Sequence, residues 1–256
     1  MKDVITSEWV KFRSLRSMGW TMVAVVALMV ILGALFSFSR GHTFRISDPA
    51  DRVGFDPTQT SLSGLIMAQV AVAVLGVRMI TSEFGTGTIR SSLTVVPRRG
   101  RLLAAKAVTV AGVAFAVGVV AALAAFLLGQ PILGHQGAPH TGLGDAGVAR
   151  AVFGSGLYLA AIALFGLALG AIVRSTAGTV TLAIMLLLMT PVFASLFPPE
   201  TAQWISKWWP SVAGLRVAAA VPDRTLLGPW QGFTVLALFA GVFLAAAFAV
   251  FTRRDT

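Results

Sequence analysis

The run AVFGSGLYLAAIALFGLALGAIV, Ala151 to Val173, decides the class of this fold. It carries no charge, and a helix of about 20 apolar residues is what the hydrocarbon core of a bilayer accepts. It does not alternate between apolar and polar residues, as a barrel strand would, and in lipid every peptide group must be satisfied within its own segment. The run therefore reads as a membrane-spanning helix. Five further stretches read the same way, at 20–39, 60–80, 104–128, 178–197 and 231–251. The expected fold is an all-α integral membrane protein with six transmembrane helices, forming a single transmembrane domain over 1–256.

Composition points the same way. Apolar residues make up 56% of the chain and charged residues 12%, with a mean hydropathy of +0.83. Soluble domains run nearer a quarter charged. There is no cysteine, which excludes disulfides and thiolate metal sites. The net charge of +10 would suit a nucleic-acid binder, but the basic residues sit in the connections between spans rather than along one face. No nucleic-acid partner is expected.

Those charges set the orientation instead. With the N-terminus inside, the inner connections hold Lys2, Lys11, Arg13, Arg16, Arg78, Arg90, Arg98, Arg99, Arg101, Lys106, Arg174, Arg253 and Arg254 against four acidic residues. The outer ones hold Arg40, Arg45, Arg52, Arg150, Lys207, Arg216 and Arg224 against six. The excess of Lys and Arg marks the cytosolic side, so both termini are expected in the cytosol.

Three segments outside the spans are distinctive. Residues 1–18 place Ile5, Trp9, Phe12 and Leu15 at helical spacing, with Lys11, Arg13 and Arg16 between them, as in an amphipathic helix lying on the inner leaflet. A simple anchor and a contact for a cytosolic partner are both compatible with that pattern. Residues 198–230 carry five prolines and Trp204, Trp208, Trp209 and Trp230, yet Ser211 to Val221 is apolar enough to enter the outer leaflet. Short re-entrant helices between spans five and six are expected there, with a surface-lying loop as the alternative. The connections Gly41 to Pro57 and Gln130 to Gly147 read as exposed turns, and His42, His135 and His140 lack metal-ligand spacing.

The third segment is TSEFGTGTIRSSLTVVPRRGRLL, 81–103, between spans two and three. Gly85 and Gly87 permit a turn after Glu83, and a short helix through Ile89, Arg90 and Leu93 would stop at Pro97. Phe84, Ile89 and Leu93 need a protein surface or the membrane to cover them. Arg98, Arg99, Arg101 and Lys106 fall where lipid headgroups lie, as do Trp9, Lys11, Arg13 and Arg16, so these eight are assigned to lipid anchoring.

Several chemistries are missing. A phosphate cradle needs a Gly-Lys step, and no lysine here follows a glycine, so any ATPase must be a separate chain. Ser155 stands between glycines, but no span carries a histidine to act as its base. The spans hold no acidic residue, which argues against proton or sodium coupling. The pair Gly166 and Gly170 suits close helix packing, more readily within the chain than between copies.

At Ser82-Glu83, Gly85-Thr86-Gly87-Thr88, Leu93, Pro97-Arg98-Arg99 and Ala105-Lys106 the chain resembles the membrane subunit of ABC type-2 transporters. The basic helix with Trp9 and Lys11, the six spans, and Trp209-Pro210-Ser211 with Gly214 extend the likeness over most of its length. The resemblance implies a type V exporter-like permease in the bacterial plasma membrane. It would pair with a second, identical or related, permease and with two ATPase subunits that bind ATP and magnesium, while this chain holds no cofactor and catalyses nothing. Glu83, Phe84, Gly85, Gly87, Thr88, Ile89, Arg90 and Leu93 would form the coupling element, with Glu83 facing basic residues of the ATPase. Trp209, Pro210, Ser211 and Gly214 would belong to the outer gate. The uncharged interior favours a hydrophobic or amphipathic cargo, such as an antibiotic, peptide or lipid. An ion-coupled secondary transporter and a non-transporting membrane assembly protein are the competing classes.

Overall fold

The computed structural model describes residues 2–14, 16–48, 52, 54–88, 99–189, 192–221, 223 and 225–253. All regular secondary structure among them is helical. In chain order the helices are α1 (Lys2–Ser14), α2 (Arg16–Ile46), α3 (Pro57–Ser61), α4 (Leu65–Thr86), α5 (Arg99–His135), α6 (Val148–Val173), α7 (Thr176–Ile184), α8 (Pro199–Trp208), α9 (Pro210–Leu215) and α10 (Pro229–Arg253). A π turn, Met185–Met189, continues α7, and 3-10 turns occupy Phe193–Leu196 and Arg216–Ala218.

Among the described residues five helices are long and apolar enough to cross a bilayer: Ser17–Ile46, Leu65–Thr86, Arg99–His135, Val148–Val173 and Pro229–Arg253. The sixth expected span, 178–197, corresponds to the shorter apolar stretch Thr176–Met189. At 1.5 Å per residue that stretch covers roughly 20 Å of a core about 30 Å thick. Two of the expected loops also shorten. α2 stays helical through Gly41 to Ile46, and α5 runs on to His135. Within this continuation of α5 the buried amide of Gln130 ties it to its neighbours: Nε2 donates to the Pro57 carbonyl (3.0 Å) and Ser61 Oγ (2.8 Å), and Oε1 accepts from the Thr141 N–H (2.8 Å).

α6 stands at the centre, with 78% of its most apolar window buried against 17% for α10. α4 lies beside it in parallel, and small residues set the spacing. A β-carbon at Gly76 would come 2.1 Å from the Ala163 carbonyl oxygen, and one at Gly166 would come 2.4 Å from that of Ala73. The backbones touch because neither glycine carries one, which is how helices associate where lipid supplies no hydrophobic drive between them. Gly166 and Gly170 therefore serve packing within the chain, the latter against Val77, Ile80 and Thr81.

The bundle has two distinct ends. The last turn of α4, the first turns of α5 and the end of α10 meet near α1, so the described ends of the chain lie together. At the opposite end α3 packs on α5 and α2, while α9 and the 3-10 turn Arg216–Ala218 pack on α6 and α10. α8 and α9 each begin with proline, whose missing N–H is not needed in a first turn, and Trp209 joins them in extended conformation.

The close approach of α4 and α6 makes Gly76→Ala destabilising by about 1–3 kcal/mol, the cost of overpacking a filled interface. Gly112→Ala, where a β-carbon meets nothing within 4 Å, should be neutral or stabilising by up to about 1 kcal/mol. Unfolding midpoints of the two variants in detergent check the contrast.

Candidate functional site

The expected loop at 81–103 begins later than its sequence indicates, because α4 continues through Thr86 and stops where Gly87 takes a left-handed conformation (φ 72°). Glu83, Phe84 and Gly85 are thus helical. The side chains of Glu83 and Phe84 reach into the bundle, and together they touch four other helices.

Glu83 joins a four-membered charge cluster. Lys106 Nζ, on the third turn of α5, donates to Glu83 Oε1 at 2.7 Å and to Glu8 Oε2 at 2.7 Å. Lys11 Nζ donates to Glu8 Oε1 at 3.1 Å and to Glu83 Oε1 at 3.3 Å. Two carboxylates and two ammoniums cancel. The cluster is also deep: the side chains of Lys106 and Glu8 are each 1% exposed, Glu83 12% and Lys11 47%. Taking such charges out of water costs several kcal/mol each unless attraction and hydrogen bonds replace the lost hydration. Here each of the four charges has two partners.

Burial alone would push the Lys11 ammonium down, but the carboxylates of Glu83 and Glu8 outweigh it and hold Lys11 above the ordinary lysine value. With the folded value raised, this contribution to stability is complete below the ordinary lysine range near 10.4 and fades only as pH climbs through the raised value. Lys11 therefore stays charged at any physiological pH.

Phe84 faces the other way. Its ring meets Phe251 of α10 edge-on, centroids 6.4 Å apart, and the Arg174 guanidinium lies over it at 5.2 Å. Arg174 caps the C-terminus of α6 in a left-handed conformation. One turn of α4 thus touches α1 and α5 through Glu83, and α6 and α10 through Phe84.

Several of the residues assigned from the sequence lie inside the bundle. The resemblance directs Glu83 outward to a partner, whereas its Oε1 serves the two lysines and its Oε2 is buried without a hydrogen bond. The charge count sends Lys106 to the headgroups, whereas the structure encloses it between two carboxylates that repay its desolvation. On α1 the buried stripe is Glu8 and Phe12, flanked by half-buried Ile5, and Trp9 stays half exposed, stacked on Phe12 at 6.1 Å. Arg13 and Arg101 are exposed and Arg99 is half-buried. Gly85, Gly87 and Thr88 are exposed, with Thr88 Oγ1 2.8 Å from Thr86 Oγ1. Ile89, Arg90, Leu93 and Arg98 lie outside the described residues, as does the side chain of Arg16.

At the opposite end, all four expected gate residues fall in one packed unit. Trp209 Nε1 donates to the Leu186 carbonyl at 2.8 Å, and Ser211 Oγ donates to that of Leu187 at 3.0 Å, both carbonyls lying within the π turn of α7. Pro210 opens α9. Gly214 lets α9 press against Tyr158 and Leu236. The buried Tyr158 hydroxyl lies against Gln69 Oε1 of α4 and is 3.2 Å from the Ser211 carbonyl.

Sequence reasoning passes over Glu8, Asp56, Gln69 and Tyr158. For Glu8 the signal was a carboxylate on the apolar stripe of an amphipathic helix. Asp56 had the Asp-Pro step of an N-cap followed by proline. Gln69 and Tyr158 had no signal, being single polar residues in apolar runs.

A family model described as "ABC-2 family transporter protein" matches residues 4–190, nearly three quarters of the chain. No curated protein matches the chain significantly. The matched segment contains the whole charge cluster, while α8 to α10 lie beyond it.

Lys106→Met leaves two buried carboxylates facing each other and should cost about 3–5 kcal/mol, as removal of one partner of a buried ion pair does. Adding Glu8→Gln removes one of the two facing carboxylates and should recover part of the loss. Thermal midpoints in detergent of the single, double and parent chains test the pairing, and an equal deficit in single and double variants would refute it.

Proposed function

The chain belongs to the ABC-2 transporter family, and on that premise we propose that it is the permease of an ATP-driven exporter powered by a separate ATPase chain. A member of this family is a membrane transport component that works with an ABC ATPase and is not itself a catalyst. Beyond that, the reading rests on one observation: the last turn of α4, at the root of the segment 87–98, is bonded or packed to α1, α5, α6 and α10. A force applied to that segment from outside the membrane would reach all five helices together.

In this proposal two ATPases, holding ATP and magnesium, grip the 87–98 segments of two permeases, either two copies of this chain or a related pair. Their closure draws those segments together, and the bundle responds as rigid elements switching between two arrangements. Glu83 then acts as an internal pivot and not as a docking contact, and docking falls to exposed Gly87 and Thr88 and to the residues after them. Both termini would face the cytosol, where the charge count puts the excess of Lys and Arg. Supporting that choice, the described ends of the chain gather at the α4 root.

The sixth crossing would be completed by α7, its π turn and Phe193–Leu196. α9 would be the re-entrant gate. In support, the Ser211 carbonyl meets Tyr158, whose position ten residues after the start of α6 corresponds to a depth of about 15 Å. The exposed Trp204 and Trp208 on α8 suit the membrane interface on the same side. The cargo would be hydrophobic or amphipathic.

The test is reconstitution with the ATPase that co-purifies from native membranes. Transport should require ATP and that subunit. Glu83→Gln keeps the size of the pivot but weakens its bond to Lys106, and should lower transport per ATP about tenfold while the ATPase stays bound, the loss of one charge-assisted bond being worth 1.5–3 kcal/mol. Glu83→Lys should destabilise the chain by putting three ammoniums together. Uptake driven by an ion gradient, with no ATPase present, would overturn the proposal.

A further inference from the structure

Asp56 is a buried carboxylate, 7% exposed, between α2 and α3 at the end of the bundle opposite the charge cluster. Its two oxygens perform different tasks. Oδ1 caps α3 by accepting from the Gln59 N–H at 2.9 Å. Oδ2 crosses to another part of the chain and accepts from two consecutive backbone N–H groups, Ala220 at 2.7 Å and Val221 at 2.8 Å. These follow directly on the turn Arg216–Ala218, which continues α9.

We propose that Asp56 is a positioning residue that staples the segment after α9 to the start of α4, so that displacement of α4 and release of that segment are one event. The proposal rests on the permease reading, in which α9 belongs to the outer gate. Its physical basis is the pairing itself. Two converging N–H groups form a small anion-binding nest, and bonds to an ionised oxygen are about twice as strong as neutral ones. The segment is otherwise closed over by packing, with Val217, Ala218 and Ala219 all buried, and Arg150 Nη2 donates to the Ala219 carbonyl at 3.0 Å.

The other side of the staple moves with α4. α3 passes into α4 through one tight turn, where the Leu65 N–H bonds the Leu62 carbonyl at 3.0 Å. Twenty-two residues on, the same helix ends at the pivot turn with Glu83. A tilt of α4 driven at Glu83 carries Asp56 away from Ala220 and Val221 and leaves their N–H groups without acceptors, near the buried Arg150 Nη1, which has no acceptor among the described residues. Such groups draw water or cargo into the opening, because an unsatisfied buried donor costs about 1–3 kcal/mol.

The absence of native cysteine makes the test direct. Ala219→Cys, at a site 2% exposed, reports opening of the stapled segment, and Ala105→Cys, 0% exposed, reports general unfolding at the other end. Both are labelled with a membrane-impermeant maleimide in open membrane fragments. Asp56→Ser keeps an oxygen to cap α3, serine being as good an N-cap as aspartate, but removes the one that reaches Ala220 and Val221. It should speed labelling at residue 219 about tenfold and leave residue 105 unchanged, as for a local opening. Asp56→Asn holds the volume and should act in the same direction, which keeps the measurement available if the serine variant does not accumulate. An unchanged rate at 219, or equal acceleration at 219 and 105, overturns the proposal. No ATPase or ATP enters the assay, so its result is separate from the fate of the ATP-coupling proposal.

Discussion

Lys106 lies between Glu8 and Glu83 at 2.7 Å from each, and much of one end of the protein follows from that contact. A buried ammonium is tolerated only while its partners stay in place, so the first helix, the end of α4 and the start of α5 are held to one another. This changes the meaning of α1. Its charges would suit a loose interfacial anchor, but Glu8 is as buried as any core residue, and the helix is a structural part of the bundle. It follows that a chain shortened by its amphipathic helix loses half the partners of a buried lysine as well as a membrane contact.

The middle of the bundle obeys a different constraint. With lipid outside and apolar side chains inside, burial of apolar area distinguishes little, and shape decides which helices meet. The glycines at 76 and 166 bring α4 and α6 to backbone contact, so the helix that carries Glu83 is joined along its length to the central helix. A push received at the α4 root is carried by a packed pair and not by a single helix.

At the far end several polar groups are matched across the bundle. Gln130, Asp56, Tyr158, Ser211 and Trp209 use their donors and acceptors on backbone or side-chain partners from other helices. Bonds of this kind hold irregular backbone together where water is scarce. They also make the α9 region a unit that is either docked or undocked, since breaking one bond exposes several groups at once.

What the sequence by itself determined was everything that depends on long runs and on counts. The apolar stretches made the fold helical and membrane-bound, the missing Gly-Lys step removed a phosphate loop of that type, and the pattern around Glu83 indicated the family. It also marked 81–103 and 198–230 as distinct from the spans. Only the tertiary structure decided direction. Whether Glu83 and Lys106 face a partner, lipid or each other depends on how α1 and α5 approach, and no local pattern contains that information. The span at 178–197 shows the same limit: its apolar length suggests a full crossing, but the helix is interrupted where a π turn offers its carbonyls to Trp209 and Ser211, residues more than twenty positions away. Periodicity and composition are sums over neighbours in the chain, whereas a buried charge or an open carbonyl is satisfied by whichever group folding brings within three ångströms.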